Sequence, residues 1–150
     1  MALEQFRRFL RRHQKIALDT NIFIYLLEEN PHYLGLTDVV FSRIEQSACE
    51  AVTSTITMTE LLVPAYREGD AQRVATFYGL LATYPNLQWI PPDLETADLA
   101  AQVRSERGLQ TPDALQAATA LRFGATAFIS DDPVFARVGG FESAVLDRFL

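Results

Sequence analysis

The chain has 150 residues, 49% of them hydrophobic and 11% aromatic, which is enough for one domain with a buried core and excludes a disordered segment. Its formal net charge of −6 argues against a protein that binds nucleic acid by bulk electrostatics. A single cysteine, Cys49, excludes an internal disulfide and a thiolate metal cluster, and it fits a cytoplasmic protein. No apolar run has the length of a bilayer span, so we expect no membrane segment.

The charge is uneven along the chain. Residues 1–15 contain four arginines and one lysine against one glutamate, whereas the remainder is strongly acidic. Within this segment, residues 4–14 place apolar side chains at helical spacing and arginines mostly elsewhere, which predicts a short amphipathic helix. We therefore divide the chain into a basic amphipathic N-terminal extension, residues 1–15, and a domain of residues 16–150.

Short apolar segments alternate with segments of helical period along the rest of the chain. Strands are predicted at residues 16–18, 51–53, 87–90, 127–129 and 144–146, and helices at 21–27, 37–47, 57–67, 70–83, 94–107, 111–124 and 133–137. Gly108 is a typical helix C-terminal signal. The alternation predicts an α/β fold with a small, mostly parallel central sheet covered by helices on both faces.

Four acidic residues lie where a predicted strand gives way to a helix. Asp19 and Asp132 follow strands, Asp113 lies in the first turn of a helix, and Glu60 lies early in the helix after the second strand. Because the carboxyl ends of parallel strands meet at one edge of a sheet, we expect the four carboxylates to converge. Their mutual repulsion favours a hard divalent cation, Mg²⁺ or Mn²⁺, and such a site suits phosphate chemistry.

Each acid alone also has an ordinary structural explanation. The two acids that follow strands would be N-caps of the next helices. Glu60 would form a capping box with Thr57, three residues before it. Asp113 would lie in a first turn that has Thr111 as its N-cap and Pro112 at the first helical position, where the helix dipole favours a carboxylate.

Four segments together resemble the PIN-domain family and, within it, the VapC-type toxins of bacterial toxin–antitoxin pairs. They are residues 16–21 (IALDTN), 57–62 (TMTELL), 111–121 (TPDALQAATAL) and 128–135 (FISDDPVF), of which the third is the most specific. The resemblance implies a PIN-like α/β/α sandwich and an endoribonuclease that cuts RNA with Mg²⁺ or Mn²⁺. It also implies an acidic quartet of Asp19, Glu60, Asp113 and Asp132, with Asp19, Asp113 and Asp132 as metal ligands.

The resemblance implies partners and supporting residues as well. It predicts a homodimer and a protein antitoxin that blocks the site. Thr20, Asn21 and Ser130 would orient carboxylates or contact phosphate.

The chain departs from the family pattern in two places. The last family motif reads Thr-Asn-Asp, then two residues and a Phe, where this chain reads Ser130-Asp131-Asp132 with Phe135 three residues after Asp132. That spacing favours Asp132 as the fourth acid, with Asp131 on the solvent side or capping the short helix; Asp131 could also substitute for Asp132 or assist it. The second departure is the basic stretch before Asp19, which could be a dimer contact, an RNA contact or an over-long start.

Two other functional classes remain open at this point. A PIN-like fold could act as a nucleic-acid-binding or regulatory module without turnover, although the presence of all four acids argues against it. An α/β domain whose acids only cap helices would have no metal affinity. The two histidines, His13 and His32, are expected in polar surroundings and not at a zinc site, whereas Cys49 and Trp89 are expected in the core.

Overall fold

Five parallel strands form the central sheet in a computed structural model that describes residues 1–150, and they are arranged in the order β3-β2-β1-β4-β5. The strands are β1 (Lys15–Leu18), β2 (Glu50–Ser54), β3 (Leu87–Ile90), β4 (Ala127–Ser130) and β5 (Glu142–Val145). The helices are α1 (Ala2–Arg11), α2 (Thr20–Leu27), α3 (Leu34–Glu45), α4 (Ile56–Arg67), α5 (Ala71–Ala82), α6 (Leu94–Arg107) and α7 (Thr111–Arg122). Two 3₁₀ helices complete the chain, Pro133–Arg137 and Leu146–Phe149.

The predicted α/β fold with helices on both faces of the sheet is confirmed, and the sheet is wholly parallel. Buried side chains form two hydrophobic clusters, one on each face. Ile16 and Leu18 of β1 belong to one cluster and Ala17 to the other, as the alternation of side chains along a strand requires. β1 therefore reads as a continuous apolar run because both of its faces are covered.

Helix α1 packs into the larger of these clusters. Phe6 and Leu10 are almost wholly buried, and the ring of Phe6 lies 4.9 Å from that of Phe149 in the C-terminal 3₁₀ helix. The helix begins two residues earlier and ends three residues earlier than the predicted range 4–14. Residues 1–15 thus share a core with the rest of the chain.

Two predicted helix N-caps are wrong. Helix α4 begins at Ile56, preceded by Thr55, so that Thr57 is a buried residue of the first turn and not an N-cap. Helix α7 begins at Thr111 itself, with Gln110 as its N-cap. In both cases the threonine is a residue type that is common at N-caps, but it lies one or two positions after the actual N-cap. By contrast, Gly108 ends α6 in the left-handed conformation that glycine adopts readily (φ +73°).

The strand order places a topological switch beside β1. The chain proceeds from β1 to β2 and β3 on one side of it, and then returns to β4 and β5 on the other side. In an open parallel sheet, the two loops that leave the strands at such a point diverge and form a crevice at the carboxyl edge. None of the helices combines the length and apolar composition that a bilayer-spanning segment requires.

Candidate active site

Asp19 lies directly after β1 at the switch point. Its Oδ1 accepts a hydrogen bond from the amide of Thr20 at 2.8 Å, so it is the N-cap of α2, and its Oδ2 accepts one from Ser130 Oγ at 2.7 Å. The residue is 7% exposed. Burial, reinforced by the charges of Asp113 and Glu60, raises the pKa of Asp19 to about 6 against these two hydrogen bonds. Asp19 therefore caps a helix and also lies near other acids.

Ser130, the last residue of β4, connects Asp19 to the following turn. Its hydroxyl donates to Asp19 and accepts a hydrogen bond from the amide of Asp132 at 2.9 Å. Asp132 Oδ1 in turn accepts from the amide of Val134 at 2.9 Å and caps the 3₁₀ helix. Ser130 therefore orients the carboxylate of Asp19, which is one of the two roles predicted for its hydroxyl.

Asp131 makes a different set of contacts. Its Oδ2 accepts a hydrogen bond from the Tyr25 hydroxyl at 2.8 Å, and its Oδ1 accepts one from the amide of Asp147 at 3.0 Å. Both of its oxygens are therefore used in holding α2 and the C-terminal 3₁₀ helix together. Asp131 does not cap the helix after it, which was one of the roles predicted for it, because Asp132 does so.

Asn21 lies between these groups. Its Nδ2 is 3.4 Å from both Asp19 Oδ2 and Ser130 Oγ, and its Oδ1 accepts a hydrogen bond from the amide of Asp131 at 3.2 Å. The side chain joins the loop after β1 to the loop after β4. Asn21 thus helps to fix the spacing of the two loops at the switch point.

Glu60 reaches the site from α4. Its Oε1 accepts a hydrogen bond from Thr20 Oγ1 at 2.6 Å, and the residue is otherwise exposed. The predicted capping box with Thr57 is absent, because that threonine points into the core and bonds to other side chains. Glu60 is the one acid of the four that is classed as exposed, so its carboxylate is accessible to a solute.

Asp113 lies in the first turn of α7 and is partly buried. Burial, followed by the charges of Asp132 and Glu60, raises the pKa of its carboxyl group. Asp113 also contributes to the raised pKa of Asp19. These electrostatic couplings link Asp19, Asp132 and Glu60 through Asp113 at the carboxyl edge of the sheet, and their joint role as one site stays a prediction.

Beneath the acids lies a buried polar layer that the sequence analysis did not identify. Gln116 Nε2 donates to Thr57 Oγ1 at 2.6 Å, and Gln116 Oε1 accepts from the amide of Ser54 at 3.3 Å. Thr57 also bonds to Thr53, whose hydroxyl lies 2.7 Å away. The layer ties α7 to β2 and α4. Its one signal in the sequence is a glutamine within an alanine-rich helix, one turn after Asp113.

Tyr25 is a second residue that the sequence analysis missed. It lies one turn after Asn21 on α2, and its ring stacks on that of Tyr33 with centroids 4.0 Å apart. Burial and the hydrogen bond to Asp131 raise the pKa of its hydroxyl to about 12. It remains a hydrogen-bond donor to Asp131 at every physiological pH.

The donor set of the site fits a hard divalent cation. All candidate ligands are oxygen atoms, and two of the carboxyl groups have pKa values raised partly by neighbouring acids, which a cation would relieve. No group of three or more acidic, histidine or cysteine side chains is arranged so that it could hold an ion by itself. Mg²⁺ does not require such a group, because it commonly binds one or two carboxylates together with waters and substrate phosphates.

The histidines take no part in the site. His13 is 5% exposed, yet its surroundings are polar as predicted, since its Nδ1 lies 2.7 Å from Thr126 Oγ1. It is near Glu142 at the start of β5, at the opposite edge of the sheet from the acids. Cys49 is buried as predicted, whereas Trp89 is only partly buried and lines a groove between α4 and α5.

Acidic side chains at the switch point of a parallel sheet can hold a hard cation, and such a site suits phosphate chemistry. The sequence profile of the PIN domain matches residues 16–141, and the chain belongs to the PIN-domain family. PIN domains are nucleases that in general need a divalent metal. The match begins at the first residue of the predicted domain, after the basic segment.

Solved structures share this fold at low sequence identity. A DNA-bound VapBC complex from Salmonella typhimurium contains a chain with a TM-score of 0.68 and 20% identity, covering 88% of this chain and 98% of that one. VapBC2 from Rickettsia felis, bound to a promoter DNA fragment, contains a chain with a TM-score of 0.67 and 16% identity. The alignment covers 87% of this chain and 98% of that one. VapBC-1 from nontypeable Haemophilus influenzae contains a chain with a TM-score of 0.63 and 24% identity. The alignment covers 89% of this chain and 98% of that one. Among curated proteins, none matches the sequence.

Proposed function

We propose that the protein is a metal-dependent endoribonuclease and the toxin of a toxin–antitoxin pair. The observation that carries the proposal is the electrostatic coupling of Asp19, Glu60, Asp113 and Asp132 at the switch point of a parallel sheet. Membership of the PIN-domain family and the likeness of the fold to VapBC structures support it. RNA is the proposed substrate, and Mg²⁺ or Mn²⁺ the proposed ion.

The chain's own residues have distinct roles in this proposal. Asp19, Asp113 and Asp132 would hold the ion together with waters and substrate phosphate oxygens, and the bound ion would offset the charge of a phosphodiester and acidify a water. Ser130 keeps the Asp19 carboxylate in one orientation through a 2.7 Å hydrogen bond, and Thr20 does the same for Glu60. No histidine is close enough to serve as a base, so the exposed Glu60 is the group placed to accept the proton of the attacking water.

Hydrolysis would then proceed by in-line displacement at phosphorus. Water would form the new P–O bond, one bridging ribose oxygen would leave and become a hydroxyl by taking a proton from solvent, and the water's proton would pass to Glu60. Asp19 is buried and held by two hydrogen bonds, so its carboxylate does not need to be reordered when substrate binds. This preorganisation is the contribution of the switch-point loops.

RNA cleavage with added Mg²⁺ or Mn²⁺, compared with excess chelator, tests the proposal directly. We expect cleavage that depends on the ion and is lost in Asp113→Asn, with Asp98→Asn as the matched control on an exposed face of α6. RNA binding without cleavage under all conditions would instead indicate a binding module. Absence of both cleavage and metal affinity would contradict any role of the acids beyond helix capping.

The partner part of the proposal is a homodimer and a protein antitoxin. A complex from Klebsiella pneumoniae, described as a toxin–antitoxin complex, shares the fold with a TM-score of 0.64 at 22% identity. Tyr66 and Tyr78 are more than half exposed beside the groove that Trp89 lines, and such an apolar surface favours assembly. We expect light scattering to report a dimer, and an antitoxin to inhibit by inserting an Arg or Lys among the acids. A strict monomer at high concentration would contradict the dimer.

A further inference from the structure

A cavity of about 420 Å³ between α1 and α3 is lined by three arginines, Arg7, Arg11 and Arg43, together with Asp38 as its acidic residue. Arg7 and Arg11 belong to the segment that precedes the family match, whereas Arg43 belongs to α3. The cavity therefore exists only because α1 packs against the domain. None of the four switch-point acids lines this cavity, and the helices that form it, α1 and α3, carry none of them.

The guanidinium groups around this cavity are incompletely neutralised. Arg43 has no ion pair, its Nη2 donates to the carbonyl of Leu10 at 3.5 Å, and its side chain also lies against the thiol of Cys49. Arg7 and Arg11 share one acid, Glu4, at 3.8 and 2.9 Å. These two pairs are about half exposed, so they contribute little stability and an incoming anion can compete for the arginines.

We infer that this cavity binds a backbone phosphate of the RNA substrate, and we call it the α1–α3 phosphate site. Arginine forks bind phosphate oxygens in pairs, and Arg7 and Arg11 line the cavity with two exposed guanidinium groups. The inference rests on the proposed nuclease function, since it assigns the ligand as substrate. It answers a physical problem of that function, because a molecule with a net charge of −6 must attract a polyanion through local basic surface.

The structure also argues against an anionic membrane as the ligand. An amphipathic helix binds a membrane by inserting its apolar face, but the apolar residues of α1, namely Phe6, Phe9 and Leu10, are already buried in the core. Its basic side is thus available only for a ligand that stays in water. Helix α1 also packs on the C-terminal 3₁₀ helix. In that 3₁₀ helix, the amide of Asp147 donates a hydrogen bond to Asp131, which lies beside the acids.

The test compares two pairs of exposed arginines in an Asp113→Asn background, which allows binding to be measured without cleavage. Arg7→Gln/Arg11→Gln removes two guanidinium groups from the cavity, and Arg67→Gln/Arg107→Gln removes two from exposed positions on α4 and α6. Fluorescence anisotropy with a mixed-sequence single-stranded oligoribonucleotide gives the Kd over a range of salt concentrations. Circular dichroism verifies that both double variants are folded.

We expect the cavity variant to bind the oligoribonucleotide roughly tenfold more weakly than its parent. Its salt slope should fall by about 0.7, because the cavity binds one phosphate and each phosphate contact of a single strand contributes about 0.7. The control pair should leave both quantities nearly unchanged. Equal losses in the two variants would show a general charge effect and overturn the site, and so would no loss in either.

Two further arms separate this inference from its alternatives. Arginine-dependent binding of the protein to vesicles of anionic phospholipid would overturn the assignment to RNA. Metal-dependent cleavage by the unmodified protein is measured in parallel. If cleavage is present but the cavity variant binds normally, the phosphate site fails alone. If cleavage is absent while the arginine dependence of binding persists, the nuclease proposal fails and the phosphate site remains.

Discussion

Asp131 and Asp132 are neighbours in sequence, yet their carboxylates belong to different parts of the structure. Asp131 receives hydrogen bonds from Tyr25 and from the amide of Asp147, which occupy both of its oxygens. Asp132 uses Oδ1 to cap the 3₁₀ helix, and its charge contributes to the raised pKa of Asp113. Adjacent residues on an extended chain point to opposite sides, so only one of the pair faces the other acids.

The first prediction concerns this pair. Asp132→Asn should reduce metal-dependent RNA cleavage by at least about a hundredfold, since Asn keeps the shape of the side chain but removes a charge that offsets the cation. Asp131→Asn should stay within about tenfold of the parent, because it weakens only a contact that positions the turn. The measurement is initial cleavage rate with Mn²⁺, alongside circular dichroism on both variants.

Tyr25→Phe provides a matched control, as it deletes the hydroxyl that holds Asp131 and leaves every acid in place. It should behave like Asp131→Asn. If Asp131→Asn were instead the inactive variant, the assignment of the fourth acid would be off by one residue. If both variants kept full activity, the proposed site would be reduced to Asp19, Glu60 and Asp113.

Side chains next to a candidate acid in the sequence could be predicted, and those with no acid beside them could not. Ser130 and Thr20 stand next to acids in recognisable segments, although the carboxylates that they bind lie 111 and 40 positions away. Gln116 and Tyr25 bind partners 59 and 106 positions away in the sequence. No periodicity or spacing encodes such pairs, because the contacts exist only once the strand order is set.

At the scale of elements, hydrophobic period predicted the type of each helix and strand, whereas the ends depended on backbone geometry. Helix α6 was predicted at its observed bounds, as Asp93 caps its first turn and Gly108 ends it. The N-caps of α4 and α7 were misassigned, because Thr57 and Thr111 are residue types common at caps without occupying the cap position. A cap is a conformation of the residue before a helix, and several nearby residues can have the right composition.

Helix α1 gives the second prediction. Phe6 is fully buried and its ring contacts the ring of Phe149, so Phe6→Ala should lower the free energy of unfolding by about 3–5 kcal/mol. Arg8→Ala, on the exposed side of the same helix, should change it by less than about 0.5 kcal/mol. Urea unfolding of the two variants measures the difference. A loss below about 1 kcal/mol in Phe6→Ala would mean that α1 is not part of the cooperative core.

At the scale of the whole molecule, the site is a consequence of strand order. Asp19 and Asp132 come together because β1 and β4 are neighbours, although 113 positions separate the two residues in sequence. Parallel alternation predicted that the acids would share an edge, but the order β3-β2-β1-β4-β5 and the resulting switch point emerged only from the structure. The same placement concentrates negative charge in a partly buried crevice, at a cost in stability.

This cost gives the last prediction. The pKa of Asp19 is raised to about 6 from an ordinary value of 3.8, so its ionised form destabilises the fold, increasingly as pH rises from about 4 to about 6 and constantly above that. Mn²⁺ should relieve the repulsion. At about a hundred times its Kd, it should add about 3 kcal/mol, a rise in Tm on the order of 5–10 °C. The rise should be larger at pH 7.5 than at pH 5, because protons compete with the ion for the carboxylates. Asp113→Asn should lose most of the rise, and Asp98→Asn should keep it. Calorimetry that detects no Mn²⁺ binding and no thermal shift at either pH would rule out a metal site formed by these acids.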